Sequence, residues 1–332
     1  MSKVLCLGGA GFIGSYITRE LLQHAHQVTV VDNFSKYGPV EHDYFAHPAC
    51  ELVVKDVRGM MPDEFQGFDY VLCLAALIGG IRYFHSIPYR IARENTEILT
   101  RAIDCTLDAA PEALFVYFSS SMVYERVLRP VTEADALTQQ VPLTNYGMQK
   151  LFGEYLVRGA HEEYGLRYLT VRPFNAVGSG ELPATGRDGL VEFGMAHVIP
   201  DFIYKALIRQ SPFEIFGDGE QIRTFTHARD IAYAVRRLLE IQVSEDDFNV
   251  CGPVSISMAD LAMRIWQHVN PQVMFPGFSH TPVPPSDVRM RIGTSEKLMR
   301  VLRWRPGLGI DAIIDDSLQY VRGHMTWDAA VR

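Results

Sequence analysis

Gly8, Gly11 and Gly14 fall three residues apart where an apolar β-rich run, residues 3–7, gives way to a helical pattern over residues 12–24. A glycine series that follows a strand and opens a helix restricts the possible folds more than any other feature of this chain. Glycine allows the tight turn, lets backbone N–H groups approach a pyrophosphate, and lets helix and strand pack closely. The partial positive charge of the helix N-terminus, in the turn that holds Phe12 and Ile13, then faces the phosphates. Asp32 closes the next strand, residues 27–32, 18 residues past Gly14. A carboxylate there accepts both hydroxyls of a ribose and repels a 2′-phosphate, so NAD is expected over NADP. Asn33 follows it, and Asp56 and Val57, after the third strand, are expected near the adenine.

Further apolar runs at residues 51–55, 70–74, 114–118 and 167–172 read as strands of a buried parallel sheet. Helical stretches at residues 89–109 and 146–164 separate them. Alternation of this kind predicts an α/β, Rossmann-type doubly wound parallel sheet. After Pro173 the rhythm breaks. Residues 178–194 hold five of the 26 glycines and a proline and read as a long loop, and the proline-rich stretch 271–285 reads as another. The expected division is a cofactor domain over residues 1–172, to which 226–250 return as helix and strand. A smaller, interwoven substrate domain takes residues 173–225 and 251–332.

Composition narrows the function classes. With 31 basic and 39 acidic residues the chain carries −8, which argues against nucleic-acid or anionic-membrane partners. Only six of those basic residues are lysine; arginine suits bidentate phosphate contact, but a GC-rich genome gives the same bias and is the preferred explanation. Cys6, Cys50, Cys73, Cys105 and Cys251 lie far apart and form no CxxC pair, so they read as buried thiols in a reducing compartment, with no disulfide framework and no metal site. No apolar run is long enough to span a bilayer, and the N-terminus lacks a signal-peptide pattern. A cytoplasmic location is expected.

Tyr146 and Lys150 are four apart in a helical stretch and share one face. The strand 114–118 ends in Ser119, Ser120 and Ser121, at the carboxyl edge of the sheet, where ligands bind in such folds. A phenol is a poor base at neutral pH. A neighbouring ammonium favours its phenolate and makes it usable, while a serine hydroxyl holds the reacting oxygen.

The motifs GGAGFIG, VVDN, Leu74-Ala75-Ala76, SSSMVY, YGMQK, RPFNAVG, GDGEQIRTFTHARD and LRWRPG together resemble the extended short-chain dehydrogenase/reductase family, in particular its nucleotide-sugar epimerases and dehydratases. The resemblance implies a nucleotide-diphosphate sugar as substrate and a transient ketone on it. Tyr146 would remove a hydroxyl proton while hydride passes to NAD, Ser120 would be the catalytic serine, and Lys150 would also hold the nicotinamide ribose. Leu74, Ala75 and Ala76 would line the cofactor. Asn175 would position the substrate and Arg223 would bind its diphosphate, with Arg289 a second candidate; either arginine could instead pair with Asp218 or Asp287. A homodimer built on the helices at 89–109 and 146–164 is also implied, with Ala102, Ile103, Leu151 and Leu156 as its apolar surface unless they face the chain's own sheet.

Departures from the family's patterns select among its reactions. The 4,6-dehydratases carry Asp-Glu just after the catalytic serine, and sugar-acid decarboxylases keep a glutamate nearby, whereas this chain has Ser121 and Met122. The 3,5-epimerases place a cysteine at the Met122 position. Yet the stretch from Ala75 to Thr96, with paired Gly79 and Gly80, resembles the GDP-mannose 3,5-epimerases. His197 and Val198, in HVIPDFI, resemble the segment that carries an acid/base histidine in GDP-fucose synthases. Gly80, Ser121, His197 and Val198 thus join the substrate-side candidates. The expected activity is C4 epimerisation. A 3,5-epimerase-like or 4,6-dehydratase-like enzyme is the alternative, and a catalytically silent NAD-binding regulator is a third reading.

Overall fold

The computed structural model describes residues 1–36, 38–80, 85–138, 140–183, 197–283 and 287–325. Its centre is a parallel sheet of seven strands: β1 (Lys3–Leu7), β2 (Gln27–Asp32), β3 (Cys50–Val54), β4 (Tyr70–Cys73), β5 (Leu114–Phe118), β6 (Tyr168–Pro173) and β11 (Asp246–Val250). The order β11-β6-β5-β4-β1-β2-β3 reverses direction between β1 and β4, which opens a crevice at the carboxyl ends of those strands.

Alternation along each strand divides the sheet's two faces. On one, Val4, Cys6, Val28, Val30 and Val116 bury against Ile17 and Leu21 of the helix Phe12–Gln23 and Ile231 and Val235 of the helix Ala228–Glu240. On the other, Leu5, Leu7, Val71, Phe115 and Tyr117 meet the helices Pro88–Ala109 and Asn145–Tyr164. A fully buried side chain of this kind contributes roughly 1.5–3 kcal/mol, so the two faces together fix the sheet. A third core gathers Ile199, Phe202, Leu261, Ile265 and Ile313 from the helices Val198–Leu207, Met258–Val269 and Ile310–His324.

Small sheets complete the crevice. β7 (Ala176–Val177) pairs with β10 (Thr226–His227), β9 (Ile222–Thr224) lies between β12 (Ser255–Ser257) and β14 (Met290–Arg291), and β8 (Phe213–Phe216) pairs with β13 (Phe278–Thr281). The stretch expected as a proline-rich loop therefore contains a strand, because Phe278 to Thr281 align with Phe213 to Phe216 in parallel register. Residues 284–286 of that stretch lie outside the described residues, as do residues 184–194 of the other expected loop, which is irregular up to residue 183.

One detail decides between readings the sequence left open, and a second corrects it. Ala102 and Ile103 are buried in the core under the sheet and Leu156 packs against it, so these three face the chain's own sheet, while Leu151 is buried in a separate cluster with Val123, Tyr124 and Phe174. Cys50 is half-buried, while the other four cysteines are buried; all five are free thiols. No described helix is long and apolar enough to cross a membrane.

Candidate active site

A cavity of about 610 Å³ follows the crevice from the glycine loop to the ends of β5 and β6. At one end Gly8 holds φ at +83°, and a Cβ there would stand 2.7 Å from the Ala75 nitrogen. A Cβ on Gly14 would stand 2.1 Å from the Gly8 oxygen, so neither position accepts a larger residue. Gly11 caps the first helix without a side chain, and no acidic residue occupies its first turn. The backbone N–H groups of Phe12, Ile13 and Gly14 have no acceptor among the described residues, and all three residues line the cavity. Such a helix N-terminus fits the pyrophosphate of a dinucleotide.

Asp32, on the same wall, accepts the Ala10 N–H at 3.1 Å and the Phe34 N–H at 2.9 Å. Those bonds orient a carboxylate that keeps lone pairs for a ribose. Asp56 is held by Arg58 through bonds of 2.7 and 3.0 Å, which lower its pKa to about 2, and Asn33 donates to it at 3.1 Å. Val57, Leu74, Ala75 and Ala76 line the wall beyond. The residues present fit NAD.

The Ser, Tyr and Lys set meets at the carboxyl end of β5. Ser120 caps the turn Ser121–Tyr124, its hydroxyl accepting the Met122 N–H at 3.2 Å. Tyr146 and Lys150 project from the helix Asn145–Tyr164, which begins where Thr144 caps it by accepting the Gly147 N–H at 3.0 Å. Gly147 is required there, since a Cβ would meet Glu125 at 2.5 Å and the Met122 oxygen at 2.7 Å. Lys150 donates to the Phe118 carbonyl at 2.8 Å, and its ammonium stands 5.9 Å from the centre of the Tyr146 ring. Burial pushes the Tyr146 phenol up to about 12, opposed by a hydrogen bond with Ser120 and by the charge of Arg291. Burial also lowers Lys150 to about 8. A poised base therefore needs further positive charge at the phenol, which a bound nicotinamide ring carries.

Behind this set lies a buried ionic network. Arg172 donates to both oxygens of Glu154 at 2.7 and 2.6 Å, and Ser119 donates to Glu154 at 2.5 Å. Arg172 also pairs with Asp247. Strand β6, strand β5 and the helix of Tyr146 are thereby tied together directly beneath the reacting groups.

On the substrate side, Gly80, Ser121, Asn175, His197 and Arg223 all line the cavity. Asn175 holds φ at +35° and donates to the Thr224 carbonyl at 2.7 Å. Arg223 pairs with Asp287 at 3.4 Å, so one of the alternatives open in the sequence is realised without removing it from the wall. Two residues sit elsewhere. Arg289 is outside the cavity lining and bonds Asp218 at 2.6 and 2.8 Å, drawn to the turn that precedes β9. Val198, in the first turn of its helix, packs against the third core and is absent from the cavity wall.

The structure also adds residues that sequence reasoning missed. Arg291, two positions beyond Arg289, lines the cavity. Glu181, almost fully buried, bonds His197 Nδ1 at 2.7 Å and lies 3.9 Å from Lys36. The sequence RMR held a signal for Arg291, but nothing in the loop marked Glu181.

A crevice with a phosphate-binding glycine loop, a ribose carboxylate and a Ser-Tyr-Lys set defines an NAD-dependent enzyme that works on a hydroxyl-bearing substrate. Residues 4–251 match the NAD dependent epimerase/dehydratase family, and the chain belongs to that family. It is 26% identical over 336 residues to UDP-N-acetyl-alpha-D-glucosaminuronate decarboxylase of Bacillus cytotoxicus, covering 96% of this chain and 98% of the relative. It is 28% identical over 323 residues to UDP-glucose 4-epimerase of Halalkalibacterium halodurans, covering 91% and 90%. Among solved structures, UDP-N-acetylglucosamine 4-epimerase of Methanobrevibacter ruminantium, in complex with UDP-N-acetylmuramic acid, matches with a TM-score of 0.81 at 26% identity over 97% of both chains.

Proposed function

We propose that the protein inverts C4 of a nucleotide-diphosphate sugar through a transient 4-keto intermediate. One observation carries this reading. Ser120, Tyr146 and Lys150 line one cavity, while the side chains after Ser120 are those of Ser121 and Met122, which supply no titratable group for losing water or carbon dioxide. Bound NAD supplies the hydride acceptor and donor. Tyr146 takes the proton of the sugar hydroxyl and later returns it, Ser120 keeps that oxygen within reach, and Lys150 holds the ribose side of the site. Asn175 and Arg223 position sugar and diphosphate. The family's 4-epimerases among the relatives support the same chemistry.

The test is incubation with NAD and a panel of UDP-, GDP-, CDP- and dTDP-sugars, with products read by NMR. Inversion at C4 is expected; a stable 4-keto-6-deoxy product would assign the protein to the dehydratases instead. A second reading, epimerisation at C3 or C5, is favoured by His197 on the wall, with Glu181 fixing one ring nitrogen. Solvent deuterium at C3 or C5 would establish it.

We further infer a division into a cofactor lobe, residues 1–172 with 226–250, and a sugar lobe, residues 173–225 with 251–332. A homodimer is part of the same reading. Met148, Phe152 and Tyr155 follow i, i+4, i+7 spacing on the helix Asn145–Tyr164 and are 45, 45 and 53% exposed, an apolar stripe on a helix suited to bundle packing. Sedimentation at micromolar concentration showing only monomer would exclude it.

A further inference from the structure

One cation on the cavity wall, Arg291, acts in the chemistry above only through its charge on the Tyr146 phenol, and no ligand group has been assigned to it. Arg291 lies on β14, and its register partner on β9 is Arg223, so two guanidiniums occupy adjacent positions of one small sheet. Like charges so placed repel unless an anion joins them. Asp287 answers one of the two, bonding Arg223 at 3.4 Å and Gln221 at 3.0 Å. Glu125, the other carboxylate whose charge reaches Arg291, accepts from Thr144 and Leu143 instead. Among the described residues Arg291 forms no ion pair. Its Nη1 meets the Met122 sulfur at 2.5 Å, and its Nε is buried with no hydrogen-bond partner. A thioether is a weak, uncharged acceptor and leaves the guanidinium charge unmet. Met122 packs in one cluster with Tyr146 and Val288, which places this cation at the reacting end of the cavity.

We propose that Arg291 is a subsite for a carboxylate borne by the sugar ring, so that the preferred substrate is a nucleotide-linked hexuronate over its neutral hexose counterpart. This rests on the nucleotide-sugar reading of the site. A guanidinium fork matches a carboxylate bidentately. A neutral sugar in the same place leaves buried N–H groups unpaired, and that loss is the source of discrimination. Met122 fits the same substrate, because an apolar residue beside Ser120 offers no acid or base to assist decarboxylation once the acid is oxidised.

A sugar carboxylate and the substrate's own diphosphate present similar anions, and the experiment separates them. NAD-loaded protein, as wild type and as Arg291→Met and Arg291→Lys, is titrated by calorimetry. The probes are UDP, UDP-glucose and UDP-glucuronate, then GDP, GDP-mannose and GDP-mannuronate. In at least one series the acid binds about tenfold or more tightly than the hexose. Arg291→Met brings that ratio to about one and leaves the nucleotide and the hexose near their wild-type Kd, while Arg291→Lys keeps part of the preference. The proposal is overturned if the acid has no advantage in either series. It is equally overturned if Arg291→Met weakens nucleotide, hexose and acid by one common factor, which would assign the guanidinium to the diphosphate. NAD affinity verifies folding; should Arg291→Met lose it, Arg291→Gln, which removes charge while keeping polar bulk, carries the comparison. C4 inversion of neutral sugars without acid preference sinks this inference and leaves the function standing, whereas acid-selective binding without C4 inversion does the reverse.

Discussion

Glu154 is the buried group whose loss should reveal most about how the site is held. It accepts bonds of 2.7 and 2.6 Å from Arg172 and 2.5 Å from Ser119, and neither Glu154 nor Arg172 has any exposed side-chain surface. Glu154→Gln keeps the shape and removes the charge. Breaking a buried ion pair from one side costs about 3–5 kcal/mol, because the remaining charge stays desolvated. Asp247 still faces Arg172, and the amide oxygen still accepts one bond, so the lower end, about 3 kcal/mol, is expected. For 332 residues the unfolding entropy near the midpoint is about 0.7 kcal/mol/K, which converts that cost to a fall in Tm of about 4 °C. Scanning calorimetry of NAD-free protein measures it. Turnover should fall as well, because the network joins the strand before Ser120 to the helix of Tyr146. A Tm within about 1 °C of wild type, with unchanged kcat, would refute the idea that this ion pair fixes the site.

Other outcomes follow from named contacts. Tyr146→Phe should lower kcat by about 10²–10⁴-fold with NAD affinity and Tm preserved, since it removes one hydroxyl engaged in proton transfer; steady-state turnover with calorimetry measures both. Lys150 is charged below about pH 8 and neutral above it, so activity should fall as pH rises through that value. Lys150→Arg should move this alkaline limb upward or abolish it, whichever activity remains. Asp32→Ala should weaken NAD binding and narrow the preference over NADP, read as the ratio of the two Kd values, because the carboxylate that repels a 2′-phosphate is gone. Gly14→Ala should abolish NAD binding or folding, as its Cβ would lie 2.1 Å from the Gly8 oxygen.

The cofactor half of the cavity was legible because its information is local. Gly8, Gly11, Gly14 and Asp32 sit on one strand-helix-strand unit, so their spacing in the sequence is nearly their arrangement in space. Tyr146 and Lys150 were legible for a similar reason, helical periodicity. The sugar half depends on distant partners. Whether Arg289 or Arg291 faces the cavity is decided by Asp218, some seventy residues earlier in the chain, which captures the first of them. Val198 follows a histidine that does line the wall, yet the helix it starts turns its own side chain into the apolar core. Glu181 belongs to a segment without periodicity, where only the folded chain brings it to His197.

Strand β11 gives the fold a temporal consequence. It forms the edge of the sheet beside β6, pairing Asp246 with Leu169 through Val250 with Pro173, yet the chain reaches it only after the segment that bears Arg223 has been made. Until residue 250 emerges from the ribosome, β6 presents an open row of backbone donors and acceptors, the kind of edge that pairs with other chains. The ion pair between Arg172 and Asp247 is likewise incomplete in any shorter product, leaving a buried cation half answered. A nascent or truncated chain ending at residue 172 should therefore be aggregation-prone, although it contains every residue of the glycine loop and both Tyr146 and Lys150.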